Sequence, residues 1–393
     1  MNRFDVEALI SPVVKNIRPS GIRKYFDIAN ELENVISLGV GEPDFVTPAH
    51  IRDAGIRSLE DGHTYYTANA GLKNLKTEIA RYLDRRFDLK YNANDQVLVT
   101  VGGSEAIDLA LRAILKPGDE VLVPEPSFVC YKPDTYLAGG VPVPLETYEK
   151  DGFALTPEIL KAAITPKTKA LILPYPNNPT GGIMTKAQLE AIAEVLEDTN
   201  IFVISDEIYA ELTYGENKHF SIAALPQMYE RTILVSGFSK AYAMTGWRLG
   251  YACAHPALIQ QMTKIHQYAI MCSPTVSQYA AIEALKNGDE DIERMKTEYN
   301  HRRKFIVNGL RTIGLDCFEP LGAFYVFPCV RSTGLSSDDF CEQLLLEERV
   351  AVVGGTAFGD CGEGFVRCSY AYSLDSIANA LDRMELFVKK IKK

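Results

Sequence analysis

Four short segments gather most of the residues able to do chemistry: VGGSEAI (101–107), YPNNPTGG (175–182), SDEIY (205–209) and SGFSKAYAMTGWRLGY (236–251). Lys240 stands among Phe238, Tyr242 and Trp247, an apolar setting that keeps part of an amine population unprotonated and able to add to a carbonyl. Asp206 follows the run IFVIS, where a buried carboxylate can stabilise a protonated nitrogen facing it. Arg367, in FVRCS, offers a planar fork to a carboxylate, and Arg248 offers another to an anion. Gly103 and Ser104 open the pattern SEAIDLALRAIL, so backbone N–H groups and a helix dipole would converge on an anion there. Each residue also has a plainer reading: a solvated lysine, an N-capping aspartate or serine, a surface ion pair, a turn asparagine in NNPTG. Their joint placement sets them apart, because each segment falls at the end of an apolar run, the edge where open α/β sheets bind ligands.

The runs that must position them are QVLVTV (96–101), EVLVP (120–124), VPVPL (141–145), ALILP (170–174), IFVIS (201–205), TILVS (232–236) and LGYACA (249–254). Most are apolar almost without interruption, as in strands covered by helices on both faces. Between them lie helical patterns, SEAIDLALRAIL (104–115) with Ala106, Leu109, Ala110 and Ala113 on one stripe, and KAQLEAIAEVLED (186–198). The pattern predicts an α/β fold with a mainly parallel sheet of about seven strands flanked by helices. After about residue 285 the rhythm changes to a long charged helix (289–313), a strand-like AFYVFPC (323–329), a helix around DDFCEQLLLEE, FVRCSYA (365–371) and a final helix from Ser376. A smaller α+β domain is expected there. The division reads as 1–45 for an amino-terminal arm and part of the small domain, 46–284 for the large domain, and 285–393 for the small one.

Composition limits the chemistry further. The 393 residues carry 41 Lys and Arg against 51 Asp and Glu, a net charge of −10 that repels phosphate backbones and argues against nucleic-acid binding. Asp5 and Glu7 interrupt the start where a secretory signal would need an apolar run, no stretch reaches the length of a membrane span, and the eight cysteines form no C-x-x-C pair. A cytoplasmic protein with reduced thiols is expected. The six histidines include no H-E-x-x-H and no zinc spacing, so no metal site is expected. No G-x-S-x-G elbow or Walker A motif occurs, and Gly39-Val40-Gly41 runs into Glu42-Pro43-Asp44, which spoils a dinucleotide fingerprint.

NNPTG, SDEIY and SK-x-x-x-MTGWR-x-G, together with SLGVGEPDF (37–45), the Tyr66–Gly71 segment, GAFYVFP and FVRCSYA, closely resemble the class I aminotransferases, pyridoxal-phosphate enzymes of fold type I. The resemblance covers nearly the whole chain and is greatest to the branch of aromatic and aspartate aminotransferases. It implies that Lys240 carries pyridoxal 5'-phosphate as an imine and, once released, moves the substrate α-proton. It implies that Asp206, rather than Glu207, faces the ring nitrogen, and that Tyr209 and Asn178 share the phenolic oxygen. Gly103, Ser104, Ser239 and Arg248 would hold the phosphate, and Phe128 would lie over the ring. Gly237 departs from the serine or threonine of many relatives, which puts a side-chain contact there in doubt. Arg367, with Asn178 and the backbone near Gly41, would take the substrate carboxylate. Tyr66 would reach the cofactor of a neighbouring subunit, making the protein a homodimer with shared sites.

The expected activity is transfer of an amino group from an L-amino acid, aromatic, aliphatic or aspartate-like, to a 2-oxo acid such as 2-oxoglutarate. Two alternatives share the motifs: a C–S β-lyase using the same cofactor, and a non-catalytic cofactor-sensing regulatory domain, which the acidic chain disfavours. The stretch Gln267–Thr275 holds no arginine for a distal carboxylate, with Lys264 the nearest basic residue, which favours aromatic or aliphatic donors.

Overall fold

The computed structural model describes residues 5–19, 21–22 and 32–392. In chain order the strands are β1 (Ile36–Ser37), β2 (Val97–Thr100), β3 (Glu120–Glu125), β4 (Val141–Glu146), β5 (Thr168–Leu173), β6 (Phe202–Asp206), β7 (Thr232–Gly237), β8 (Gly250–Cys253), β9 (Tyr325–Val326), β10 (Val350–Ala351), β11 (Val353–Gly354) and β12 (Val366–Ser369). The apolar runs read from the sequence become one seven-stranded sheet in the order β2-β8-β7-β6-β5-β3-β4. Only β8 runs against its neighbours; the other pairings are parallel.

Alternation along these strands feeds two cores. Leu98, Ile233 and Val235 pack with Ala106, Leu109 and Ala110 of the helix Gly102–Ile114. Their neighbours Val97, Val99 and Leu234 point the other way, towards Leu75 and Ile79 of the helix Lys73–Phe87 and Ala280 and Ala281 of Thr275–Asn287. A strand buried on both faces has no polar position to spare, and this is why its sequence reads as an unbroken apolar run. Each such side chain contributes about 1.5–3 kcal/mol of burial. The parallel strands β2, β3, β5, β6 and β7 all end at one edge, and β8 starts there, so the chemistry-bearing segments converge by topology alone.

The carboxyl-terminal part forms a three-stranded antiparallel sheet, β11-β12-β9. Phe324, Tyr325, Phe340, Leu344, Met384 and Phe387 centre its core, which takes in Leu38 as well as Tyr209, Leu212 and Tyr214. β1 pairs with β10, joining the segment before the large sheet to this region. The helices Ser337–Glu348 and Leu374–Ile391 begin at Ser336 and Ser373, whose hydroxyls accept from Asp339 N and Ser376 N. The expected strand AFYVFPC is shorter than its composition suggests: β9 holds only Tyr325 and Val326, and Pro328 has no N–H to continue a ladder. Of the expected arm at 1–45, residues 1–4, 20 and 23–31 lie outside the described residues. Among the described residues no helix is long and apolar enough to cross a membrane, and none of the eight cysteines forms a disulfide.

Candidate active site

A cavity of about 320 Å³ opens at the carboxyl edge of the sheet. Its walls include Gly41, Gly103, Ser104, Phe128, Asn178, Asp206, Tyr209, Ser239, Lys240, Arg248 and Arg367, every residue singled out from the sequence except Tyr66. Tyr66 stands apart, 82% exposed, between the helices Ala49–Glu60 and Lys73–Phe87.

Lys240 follows β7, and its Nζ donates to the Gly41 carbonyl at 2.7 Å. Its aromatic neighbours differ from those expected: Nζ lies 5.9 Å from the Tyr209 ring and 5.7 Å from the Phe324 ring. Phe238 and Tyr242 instead join the core on the far side of the sheet, because residues two apart in this turn do not share the lysine's face. Burial brings the Lys240 amine down to about 8; Arg367 and Arg248 push it the same way, against Glu42 and Asp206. At that value a useful fraction is neutral near pH 7, as addition to a carbonyl requires.

Asp206 is the last residue of β6. No helix follows it, so it is not an N-cap; Oδ1 accepts from Ile208 N at 3.2 Å and Oδ2 from the Tyr131 hydroxyl at 2.8 Å. Burial raises its carboxyl to about 6, opposed by those two donors. A cation entering the cavity would reverse that shift. Glu207, next in sequence, faces away: it accepts from Ser205 and Ser221 at 2.8 and 2.6 Å and meets His219 at 2.7 Å.

Arg367 is buried, with Nη1 donating to Asn178 Oδ1 at 2.9 Å and Nη2 to the Gly39 carbonyl. Its guanidinium sits 4.6 Å from the Tyr325 ring and 4.8 Å from that of Phe358. Nε has no hydrogen-bond partner, and no carboxylate pairs with this arginine among the described residues. A buried guanidinium left without an anion is costly and awaits one. Asn178 spends Oδ1 on Arg367 and keeps its amide N–H groups for another acceptor. Tyr209 shares a hydrogen bond of 2.8 Å with Tyr325.

The open side of the cavity is built from backbone. The helix Gly102–Ile114 starts two residues before the expected Ser104, with Val101 at its N-cap, so Gly103 and Ser104 lie in its first turn and Ser104 is not the cap. Gly102 has φ +79°, and a Cβ there would come within 2.7 Å of Arg248 Nη2; glycine lets the guanidinium close over the turn. At Gly237 a Cβ would come within 2.9 Å of Gly250 Cα, so this close approach of two backbones favours glycine. The N–H groups of the first turn, the Ser104 and Ser239 hydroxyls and Arg248 together make a cup fit for a phosphate.

Sequence reasoning passed over two tyrosines. Tyr131, three residues beyond Phe128 and edge-on to it, holds Asp206. Tyr325 links Tyr209, Arg367 and Gly41, whose Cβ, if present, would lie 2.3 Å from its hydroxyl. The signal lay in EPSFVCY (125–131) and GAFYVFP (322–328), but a tyrosine in an apolar run reads as core.

Fold and cavity together place the chain among the aminotransferases. Residues 33–384 match the model of the aminotransferase class I and II family, and the chain belongs to that family, whose members work with pyridoxal phosphate. It is therefore an enzyme of amino-group transfer. A Bacillus subtilis protein named as an aminotransferase, YugH, is 55% identical over 97% of this chain and 98% of its own length. An aspartate aminotransferase of Pyrococcus abyssi is 46% identical over 96% of this chain and 97% of its own. Among solved structures, an aromatic aminotransferase from Pyrococcus horikoshii superimposes with a TM-score of 0.90 at 45% identity, covering 93% of this chain and 99% of that one.

Proposed function

We propose that this chain binds pyridoxal 5'-phosphate in the cavity, attached at Lys240, and transfers the amino group of an aromatic or aliphatic L-amino acid to a 2-oxo acid such as 2-oxoglutarate. The observation that carries the reading is the buried pair Asp206 and Arg367 with the half-buried Lys240 around one cavity, each lacking the counter-group that cofactor or substrate would bring. When bound, the cofactor supplies a carbonyl for amine exchange and a ring that takes up the electron pair left at the substrate Cα.

Asp206, its carboxylate held in place by Tyr131, would keep a proton on the ring nitrogen. Tyr209 and the Asn178 amide would hold the phenolic oxygen, and Phe128 would cover the ring. Gly103, Ser104, Ser239 and Arg248 take the phosphate. Arg367 would grip the α-carboxylate and align the Cα–H bond for Lys240, whose Nζ, once released and neutral, would take up that proton as general base. Tyr66, exposed on this chain, completes the site of a second copy, so the working form is a homodimer in the cytoplasm. The chain divides into an arm and part of the small domain (1–45), a large domain (46–284) and the rest of the small domain (285–393).

Donor preference follows from the walls. Among the described residues, Lys240, Arg248 and Arg367 are the cations lining the cavity, and each has a role already; the remaining wall includes Ile22, Pro176, Ile208 and Tyr325. Among the described wall residues a side chain with a distal carboxylate finds no further cation. With 2-oxoglutarate as acceptor, a panel of aromatic, aliphatic and acidic donors ranked by kcat/KM tests this. Aromatic or aliphatic donors should exceed aspartate by roughly tenfold or more; aspartate ranking first would overturn the donor assignment.

A further inference from the structure

We propose that Glu105 and His266 are positioning residues for the phosphate cup, a role that rests on the cofactor reading above. Glu105 follows Ser104 in the first turn of Gly102–Ile114 but does not line the cavity. Its Oε2 accepts from Val101 N, the amide just before the helix, while Oε1 lies 2.7 Å from His266 Nδ1. The carboxylate thus reaches back to the helix start in the manner of a capping box, and Val101 itself has no side chain able to cap.

An ordinary cap sits in water. Here the Glu105 side chain is 12% exposed and that of His266 is 0% exposed, and His266 Nε2 finds no partner among the described residues. Burying an imidazole with one nitrogen unsatisfied costs stability that an apolar residue would not. That cost is consistent with the ring being held for where it puts Glu105.

The cup has no slack to absorb a misplaced turn. Besides the approach of Arg248 to Gly102, a Cβ at Gly250 would meet Gly102 C at 2.5 Å and Gly103 N at 2.6 Å. Strand β8, Arg248 and the amides of the first turn are therefore locked together, and a shift at Val101 is passed on to the phosphate donors. The helix Pro256–Ala269, which carries His266, also anchors the Tyr66 segment: Met271 N donates to the His266 carbonyl, and the Met271 carbonyl accepts from Asn69 Nδ2 at 2.7 Å. One buried pair therefore ties the cup to the segment carrying Tyr66.

The test compares pyridoxal phosphate with pyridoxal, which lacks the phosphate, in absorbance titrations of the apoenzyme. In Glu105→Ala and His266→Asn the dissociation constant for pyridoxal phosphate should rise about tenfold, the loss of one charge-assisted contact. That for pyridoxal should stay within about twofold of the wild type, and Glu105→Gln, which keeps an acceptor for Val101 N, should restore most of the phosphate-dependent affinity. Equal weakening for both ligands, or no weakening for either, overturns the proposal. Two variants are used so that if one fails to fold the other decides. Failure of the wild-type protein to attach pyridoxal phosphate at Lys240 would instead overturn the cofactor reading on which this rests.

Discussion

On the buried side of the cavity, Asp206, Lys240 and Arg367 bring three charges out of water, and burial moves the first up to about 6 and the second down to about 8. On the open side, Gly103, Ser104 and Arg248 offer backbone amides, a hydroxyl and an exposed guanidinium. Desolvated charges act strongly on whatever replaces their water, whereas an exposed arginine is screened. The buried side should therefore govern the chemical step and the open side should govern retention of the cofactor.

Substitutions can break that division, and the largest effect is expected at Asp206. Asp206→Asn keeps an acceptor for Ile208 N, turns an amide N–H towards the Tyr131 hydroxyl and removes the charge, so kcat should fall about 10²–10³-fold with little change in cofactor affinity. Measured loss of cofactor without loss of kcat would assign Asp206 to anchoring. Arg367→Lys keeps a positive charge and loses the fork, so KM for the amino donor should rise by roughly 10–100-fold and kcat should fall less. A change confined to kcat would mean that the carboxylate is held elsewhere. Smallest is Arg248→Ala, for which equilibrium dialysis should show cofactor affinity about five- to tenfold weaker at unchanged kcat under saturation. A larger fall in kcat than at Asp206 would abolish the distinction between the two sides.

How much of this was legible depended on which interactions fix each element. The seven long strands could be read because double-sided burial leaves an unbroken apolar run, and Asp206, Lys240 and Arg248 because polar groups at the ends of such runs are conspicuous. β1, β10 and β11 could not, since two residues carry no period and their pairing is set by distant segments such as Ile36 with Val350. Tyr131 and Tyr325 were hidden for the opposite reason: their rings satisfy the core pattern, and only the direction of the hydroxyl reveals the role. The surroundings of Lys240 are not legible from its sequence neighbours, since the rings of Tyr209 and Phe324, distant in sequence, lie beside its Nζ. The role expected of Tyr66 rests on family resemblance alone, its exposure giving no local reason for a function.

The central claim is that one amine on the buried side, partly neutral near pH 7, holds the cofactor. Apoprotein mixed with pyridoxal phosphate across a pH series, reduced with borohydride and digested, measures both where and how fast attachment occurs. The cofactor mass should appear on the peptide containing Lys240, at a rate that rises through about pH 8 and then levels, as expected for an amine lowered from 10.5 to about 8. Cofactor mass on another lysine or on none, or a rate still climbing towards pH 10, would contradict the account.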